Sequence, residues 1–196
     1  MGGVQIAVLM LSHIMKHIAK HCVALAFAAV LAGCSSLSEK ECLTADWESI
    51  GYRDGSRGYD AGRVADHGEA CAEVGVEPDR NEYEAGRVRG LELFCTGSNG
   101  VRIGRQGGSY SGVCPADLEP GFLRGYDIGR NLNDYDQHMS KLRADVESIN
   151  RELRRKEPPL SNNERDSLLY QLRTLEREFG RMEAEANQLE RRAREF

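Results

Sequence analysis

From Leu118 onward, apolar or small residues recur in alternating steps of three and four: Leu118, Gly121, Gly125, Ile128, Leu132, Tyr135, Met139, Leu142, Val146, Ile149 and Leu153. Such steps set one stripe along a helix, the seam of a coiled coil. Glu157-Pro158-Pro159 ends the stripe, because proline has no N–H to continue a helical ladder. Ser161-x-x-Glu164 then reads as a capping box opening a second helix. Its own stripe runs Leu168, Leu172, Leu175, Phe179, Met182, Ala186, Leu189, Ala193 and Phe196. A helix of about 35 residues reaches about 52 Å at 1.5 Å per residue. The expectation over 118–196 is an antiparallel helical hairpin whose second helix runs back along the first.

Upstream the pattern changes. Of the 21 glycines, 17 lie between Gly51 and Gly129. They recur in four-residue steps: Gly51/Gly55, Gly58/Gly62, Gly86/Gly90, Gly100/Gly104 and Gly121/Gly125/Gly129. Aromatics lead them at fixed spacing, as in Tyr52…Gly55, Tyr59…Gly62, Tyr83…Gly86, Phe122…Gly125 and Tyr126…Gly129. Residues i and i+4 share a helix face, so these glycines would let two helices approach closely. Arg53, Asp54, Arg57 and Asp60 sit among them, which excludes a membrane span. Short, tightly packed helices are expected over 42–117. Thr96–Pro115 reads differently, as an ordered glycine-rich loop or small hairpin, with turn signals at Asn99-Gly100 and Gly107-Gly108 and strand-like alternation at Val101-Arg102-Ile103.

Residues 1–33 hold no acid and no Arg; Lys16 and Lys20 precede an apolar run from Val23 to Leu31. The run is shorter than the roughly 20 residues needed to span a bilayer. With its basic start it reads as a signal peptide. Its Leu31-Ala32-Gly33-Cys34 ending resembles a bacterial lipobox. That resemblance implies lipidation of Cys34, and Ser35 after it implies sorting to the outer membrane, facing the periplasm. Met15, followed by Lys16, His17 and Lys20, is the expected true start. Residues 34–41 then form a tether, 42–117 a Cys/Gly-rich domain and 118–196 the hairpin.

With Cys22 in the signal and Cys34 lipidated, Cys42, Cys71, Cys95 and Cys114 remain, an even number for an oxidising compartment. Four cysteines allow three pairings. The sequence-local one, Cys42–Cys71 with Cys95–Cys114, is preferred, and each bridge would contribute about 3 kcal/mol. No C-x-x-C pair exists, so neither a zinc site nor a redox pair is expected. The expected fold class is mainly α: a small disulfide-stapled domain of short helices and an ordered loop, then the long hairpin.

The run Trp47…Gly51…Asp54-Gly55…Gly58, then Ala70-Cys71…Gly75, Tyr83…Gly86…Gly90-Leu91…Cys95, Gly104…Gly107…Tyr110…Gly112-Val113-Cys114-Pro115 and Phe122…Tyr126…Gly129 resembles an uncharacterised Cys/Gly-rich bacterial lipoprotein family, domain of unknown function 2799, over about 42–130. The resemblance implies an envelope lipoprotein. It carries no activity, ligand or catalytic residue.

Net charge is -5, and the acidic balance argues against a nucleic-acid partner. From Tyr135 onward, 13 basic residues face 13 acidic ones, as on a solvated, ion-paired helix surface. Gly104-Arg-Gln-Gly107-Gly108-Ser109 lacks the Lys-Ser/Thr of a phosphate loop. Gly108-Ser-Tyr-Ser-Gly112 places Tyr110 where a nucleophile elbow needs Ser. His138 belongs to the coiled coil, and His67 reads as a surface histidine before it reads as a ligand or base. Asp46/Glu48, Asp54, Asp60 and Glu82/Glu84 read as solvated acidic surface. No catalytic residue, metal or cofactor is expected. The expected role is a non-catalytic envelope protein, held to the membrane by lipid, with a protein partner or self-association through the coiled coil. The alternative is a ligand-binding or enzymatic module built on loop 96–115, Tyr110 and His67.

Overall fold

The computed structural model describes residues 36–196. The expected signal peptide 1–33, the start at Met15 and the lipidated Cys34 lie outside the described residues. Among these there are seven α-helices and no strand: α1 (Glu39–Leu43), α2 (Trp47–Arg57), α3 (Arg63–Cys71), α4 (Arg80–Phe94), α5 (Gly97–Arg105), α6 (Glu119–Leu153) and α7 (Asn162–Ala193). They fall into two compact units, one holding the described residues up to Ala45 with Val64–Pro78, the other Asp46–Arg63 with Asp79–Phe196.

The smaller unit is pinned by the Cys42–Cys71 disulfide, with Cα atoms 5.4 Å apart. Ser38 opens α1 with a full capping box, its side chain accepting from Glu41 N–H while the Glu41 carboxylate accepts from Ser38 N–H. Leu37, Cys42, Val64, His67 and Cys71 are buried. Residues 36–43, read from sequence as mostly tether, thus contribute a helix, a disulfide cysteine and a buried leucine.

In the larger unit, the glycines organise two helix pairs, α2 with α4 and α5 with α6. A Cβ on Gly51 or Gly55 would collide with the carbonyls of Tyr83 or Arg87, and one on Gly86 or Gly90 with those of Glu48 or Tyr52. In the second pair, Gly100 and Gly104 face the carbonyls of Phe122 and Tyr126, while Gly125 and Gly129 face those of Gly97 and Val101. The register is the same in both. Gly51 corresponds to Gly100, Gly55 to Gly104, Gly86 to Gly125 and Gly90 to Gly129. The ends of the first helices match too. Gly58 and Gly107 are both left-handed, at φ 80° and 72°. Tyr59 N–H reaches Asp54 O as Gly108 N–H reaches Ile103 O, the longer bond of a Schellman cap. The domain therefore contains one helix pair built twice.

This duplication corrects the reading of 96–115. Residues Gly97–Arg105 are helix, not loop or strand. The Thr96 side chain caps the helix by accepting from Asn99 N–H. Gly100 and Gly104 pack on α6, so tertiary contact overrides the low helix propensity of glycine. Only the stretch after Arg105 remains irregular, closed by Cys95–Cys114.

Helix α6 leaves its glycine pair and continues into the hairpin without a break. Helix α7 starts at the capping box of Ser161 and Glu164 and returns alongside it. Met139, Leu142 and Met182 form the buried part of the seam, with Tyr135, Leu175 and Phe179 packed against them. At the open end the Arg105 guanidinium meets the Glu190 carboxylate, Tyr135 donates to Glu185, and the Phe196 ring lies against Gly97. The hairpin closes within one chain.

Gly86→Ala should lower stability by about 1–3 kcal/mol, since no backbone shift can admit the methyl without parting α2 from α4. Gly180→Ala, where nothing lies within 4 Å of the added carbon, should raise it by about 0.5–1 kcal/mol. Denaturant unfolding followed by circular dichroism checks both.

Candidate functional site

Three places carry chemistry. The first is in the smaller unit. His67 is 1% exposed, against its reading as a surface histidine. Its Nδ1 lies 2.8 Å from Ser36 Oγ, and Ser36 Oγ donates to the carbonyl of Asp66 at 3.0 Å. Ser36 Oγ thus bonds both to the ring of His67 and to the backbone of Asp66. The pair fixes residue 36 against α3.

The second place is the first helix pair, where α2 and α4 bury polar groups. Asp54 is 3% exposed, so it is not the solvated carboxylate its sequence context suggests. Tyr83, also buried, donates to Asp54 Oδ2 at 3.0 Å. Burial, followed by the Asp54 charge and this hydrogen bond, pushes the Tyr83 phenol far above its ordinary value. Arg87 lies one turn further on. It is held by Glu84 through two bonds of 2.7 Å and donates to Tyr59 O at 3.4 Å. The duplicate positions in the second pair differ. Phe122 stands for Tyr83, Ile103 for Asp54 and Tyr126 for Arg87. Tyr126 OH donates to Gly108 O at 2.9 Å, the counterpart of the bond from Arg87 to Tyr59. One copy is filled with a charged network and the other with an aromatic core.

That core surrounds Cys95–Cys114. Phe122 stacks on Phe94 at 5.4 Å between centroids, and Tyr110 packs on Phe122 at 4.6 Å. Tyr110 OH accepts from Cys114 N–H at 3.0 Å and donates to Glu119 Oε1 at 2.9 Å. Burial first, and Glu119 behind it, raise its phenol pKa, while the bond from Cys114 opposes the rise. Tyr110 thereby closes the loop onto the start of α6.

The remaining carboxylates singled out from sequence serve local structure. Asp46 caps α2, and its two bonds from Ser49 hold its carboxyl below the usual range. Glu48 pairs with Arg89 at 2.8 Å, and Asp60 accepts from Gly62 N–H at 2.7 Å. Glu82 lies in the first turn of α4, where its charge suits the helix N-terminus. Among the described residues no three His, Cys, Asp or Glu side chains form a group that could hold a metal ion. No described helix is long and apolar enough to cross a membrane.

The third place is the outer hairpin. Grooves run along both sides of its seam. One, of about 420 Å³, is lined by Ile149, Tyr170 and Leu175 among others. The other, of about 430 Å³, has Val146 and Phe179 on its floor and Arg143, Glu147, Arg154 and Glu176 on its rim. Sequence reasoning found the seam but not the grooves, which come from the width left between two helices.

Tyr83→Phe should cost about 1–3 kcal/mol at neutral pH, because the buried Asp54 carboxylate loses a donor. The raised phenol pKa adds a pH dependence. The folded state holds the Tyr83 proton more tightly than the unfolded chain, so its stabilisation is full below pH about 10 and falls as pH rises beyond it. Urea midpoints from pH 8 to 11 should show a steeper alkaline decline in the parent than in Tyr83→Phe.

No curated protein and no solved structure matches the chain. Residues 46–131 match the model of a family described as a protein of unknown function, DUF2799. The match begins at the cap of α2 and ends just past Gly129, spanning both glycine pairs and leaving the rest of the hairpin outside. Over these residues, then, the chain is similar to the DUF2799 family.

Proposed function

We propose that this is a lipid-anchored, non-catalytic protein of the bacterial cell envelope, on the periplasmic side of the outer membrane, acting as a structural or protein-interaction module. The observation that carries the reading is the Leu31-Ala32-Gly33-Cys34 ending of a short apolar run behind Lys16 and Lys20. Two disulfides among the four cysteines beyond it support export, since such bonds persist in oxidising compartments. Only Ser35 separates Cys34 from Ser36, which is bonded to His67, and Leu37 is buried. A diacylglyceryl group on Cys34 would therefore hold the Cys42–Cys71 unit close to the bilayer. One acyl chain binds only marginally, and several make a stable anchor.

The interaction role rests on the hairpin, a long helical surface with balanced charge and grooves on both sides. A ligand-binding or enzymatic role for 96–115 has less support. Gly100 and Gly104 face the α6 backbone, and Tyr110 bridges Cys114 and Glu119.

Cys34→Ala tests the anchor. The parent chain should sediment with membranes and partition into detergent, whereas the variant should be recovered soluble or as unprocessed precursor. A parent chain that is soluble after membrane sedimentation overturns the reading.

A further inference from the structure

Between Leu142 and Met182 no residue of the hairpin is buried. Val146, Ile149, Leu153, Leu168, Leu172 and Leu175 lie on the seam there, yet each stays partly exposed. Nearer the glycine pairs the same two helices bury Met139, Leu142 and Met182; beyond them the seam keeps apolar surface that a further helix layer could cover.

The groove lined by Val146 and Phe179 also carries exposed charges of both signs. Arg143 lies over the Phe179 ring at 5.4 Å. Among the described residues, Arg143 on α6, Arg154 just past its end and Glu176 on α7 have no ion-pair partner, whereas Glu147 is held by Arg151 at 2.8 Å. Cations thus stand on one wall of the groove and Glu176 on the other, with no ion pair between them. A two-fold axis parallel to the hairpin resolves this. Arg143 and Glu176 line the same groove, Arg143 over Phe179 and Glu176 about one turn from Phe179 on the facing helix. Rotation about such an axis sets Arg143 of each copy beside Glu176 of the other, with Val146 and Phe179 turned inward.

We infer that a second copy of this chain covers the groove, and that two hairpins form a four-helix bundle through Arg143, Val146, Glu176 and Phe179. The inference deepens the interaction role proposed above and rests on it. A two-fold along the hairpin keeps the N-terminal ends of both copies level, as anchoring in one bilayer requires. The hairpin's net charge near zero imposes no bulk repulsion between copies.

The test is sedimentation equilibrium of the full chain in density-matched detergent. Mass should rise from one copy to two between ~1 and ~100 µM, the range of a modest helical interface. Arg143→Glu and Glu176→Arg should each weaken association by about tenfold or more, because every substitution enters the interface twice. The double exchange R143E/E176R should restore most of it. Circular dichroism confirms that each variant keeps its helix content, and Glu176→Arg serves if Arg143→Glu loses it. A one-copy mass at every concentration overturns the inference, as does pairing that ignores both single substitutions. Pairing by Cys34→Ala alongside a soluble parent chain would remove the anchor reading and leave the pairing intact, so the two fail separately.

Discussion

Everything in the DUF2799 region depends on backbone meeting backbone. Where Gly51, Gly55, Gly86 and Gly90 face α2 and α4, and Gly100, Gly104, Gly125 and Gly129 face α5 and α6, no side chain separates the helices. Such contact is dense in dispersion and intolerant of a single methyl. It also weakens each helix alone, since a glycine in a helix costs roughly 0.5–1 kcal/mol relative to alanine. The helices therefore exist because they are paired. The disulfides Cys42–Cys71 and Cys95–Cys114 restrict the unfolded chain and offset part of that cost. In each half, a cysteine ahead of the first helix joins one in the connection to the second.

The two pairs share a frame and differ in filling. Asp54, Tyr83 and Arg87 occupy one; Ile103, Phe122 and Tyr126 the other. A buried polar network fixes geometry through its hydrogen bonds, and an aromatic core through shape. Both solutions keep one bond in common, a donor on the second helix reaching the carbonyl just past the left-handed glycine of the first. Two fillings within one chain indicate that the glycine register, not the identity of the core, defines this fold.

Much of this was legible in the sequence, for identifiable reasons. The hairpin was, because its apolar period and proline stop are strong local signals, and the Ser161 capping box sits where the pattern puts it. The close approach of helices at glycine was also legible. Helix α5 was not, because Val101-Arg102-Ile103 is too short to tell periods apart and Gly100 reads locally as a turn. Its signal was the match of Gly100/Gly104 to Gly51/Gly55, which appears only when the glycine steps are compared as pairs. His67 and Asp54 were misplaced at the surface because burial of a polar group depends on partners distant in sequence, Ser36 and Tyr83.

Helix α6 belongs to the second glycine pair and to the hairpin at once, with no hinge between them. It is in effect a lever whose fulcrum is the contact at Gly125 and Gly129. From Gly129 to Leu153 the arm is about 36 Å at 1.5 Å per residue. A rock of about 5° in the glycine contact would sweep the tip by about 3 Å, more than half the rise of one helical turn. A load at the tip would in turn bear on the one contact in the domain that has no side chains to yield.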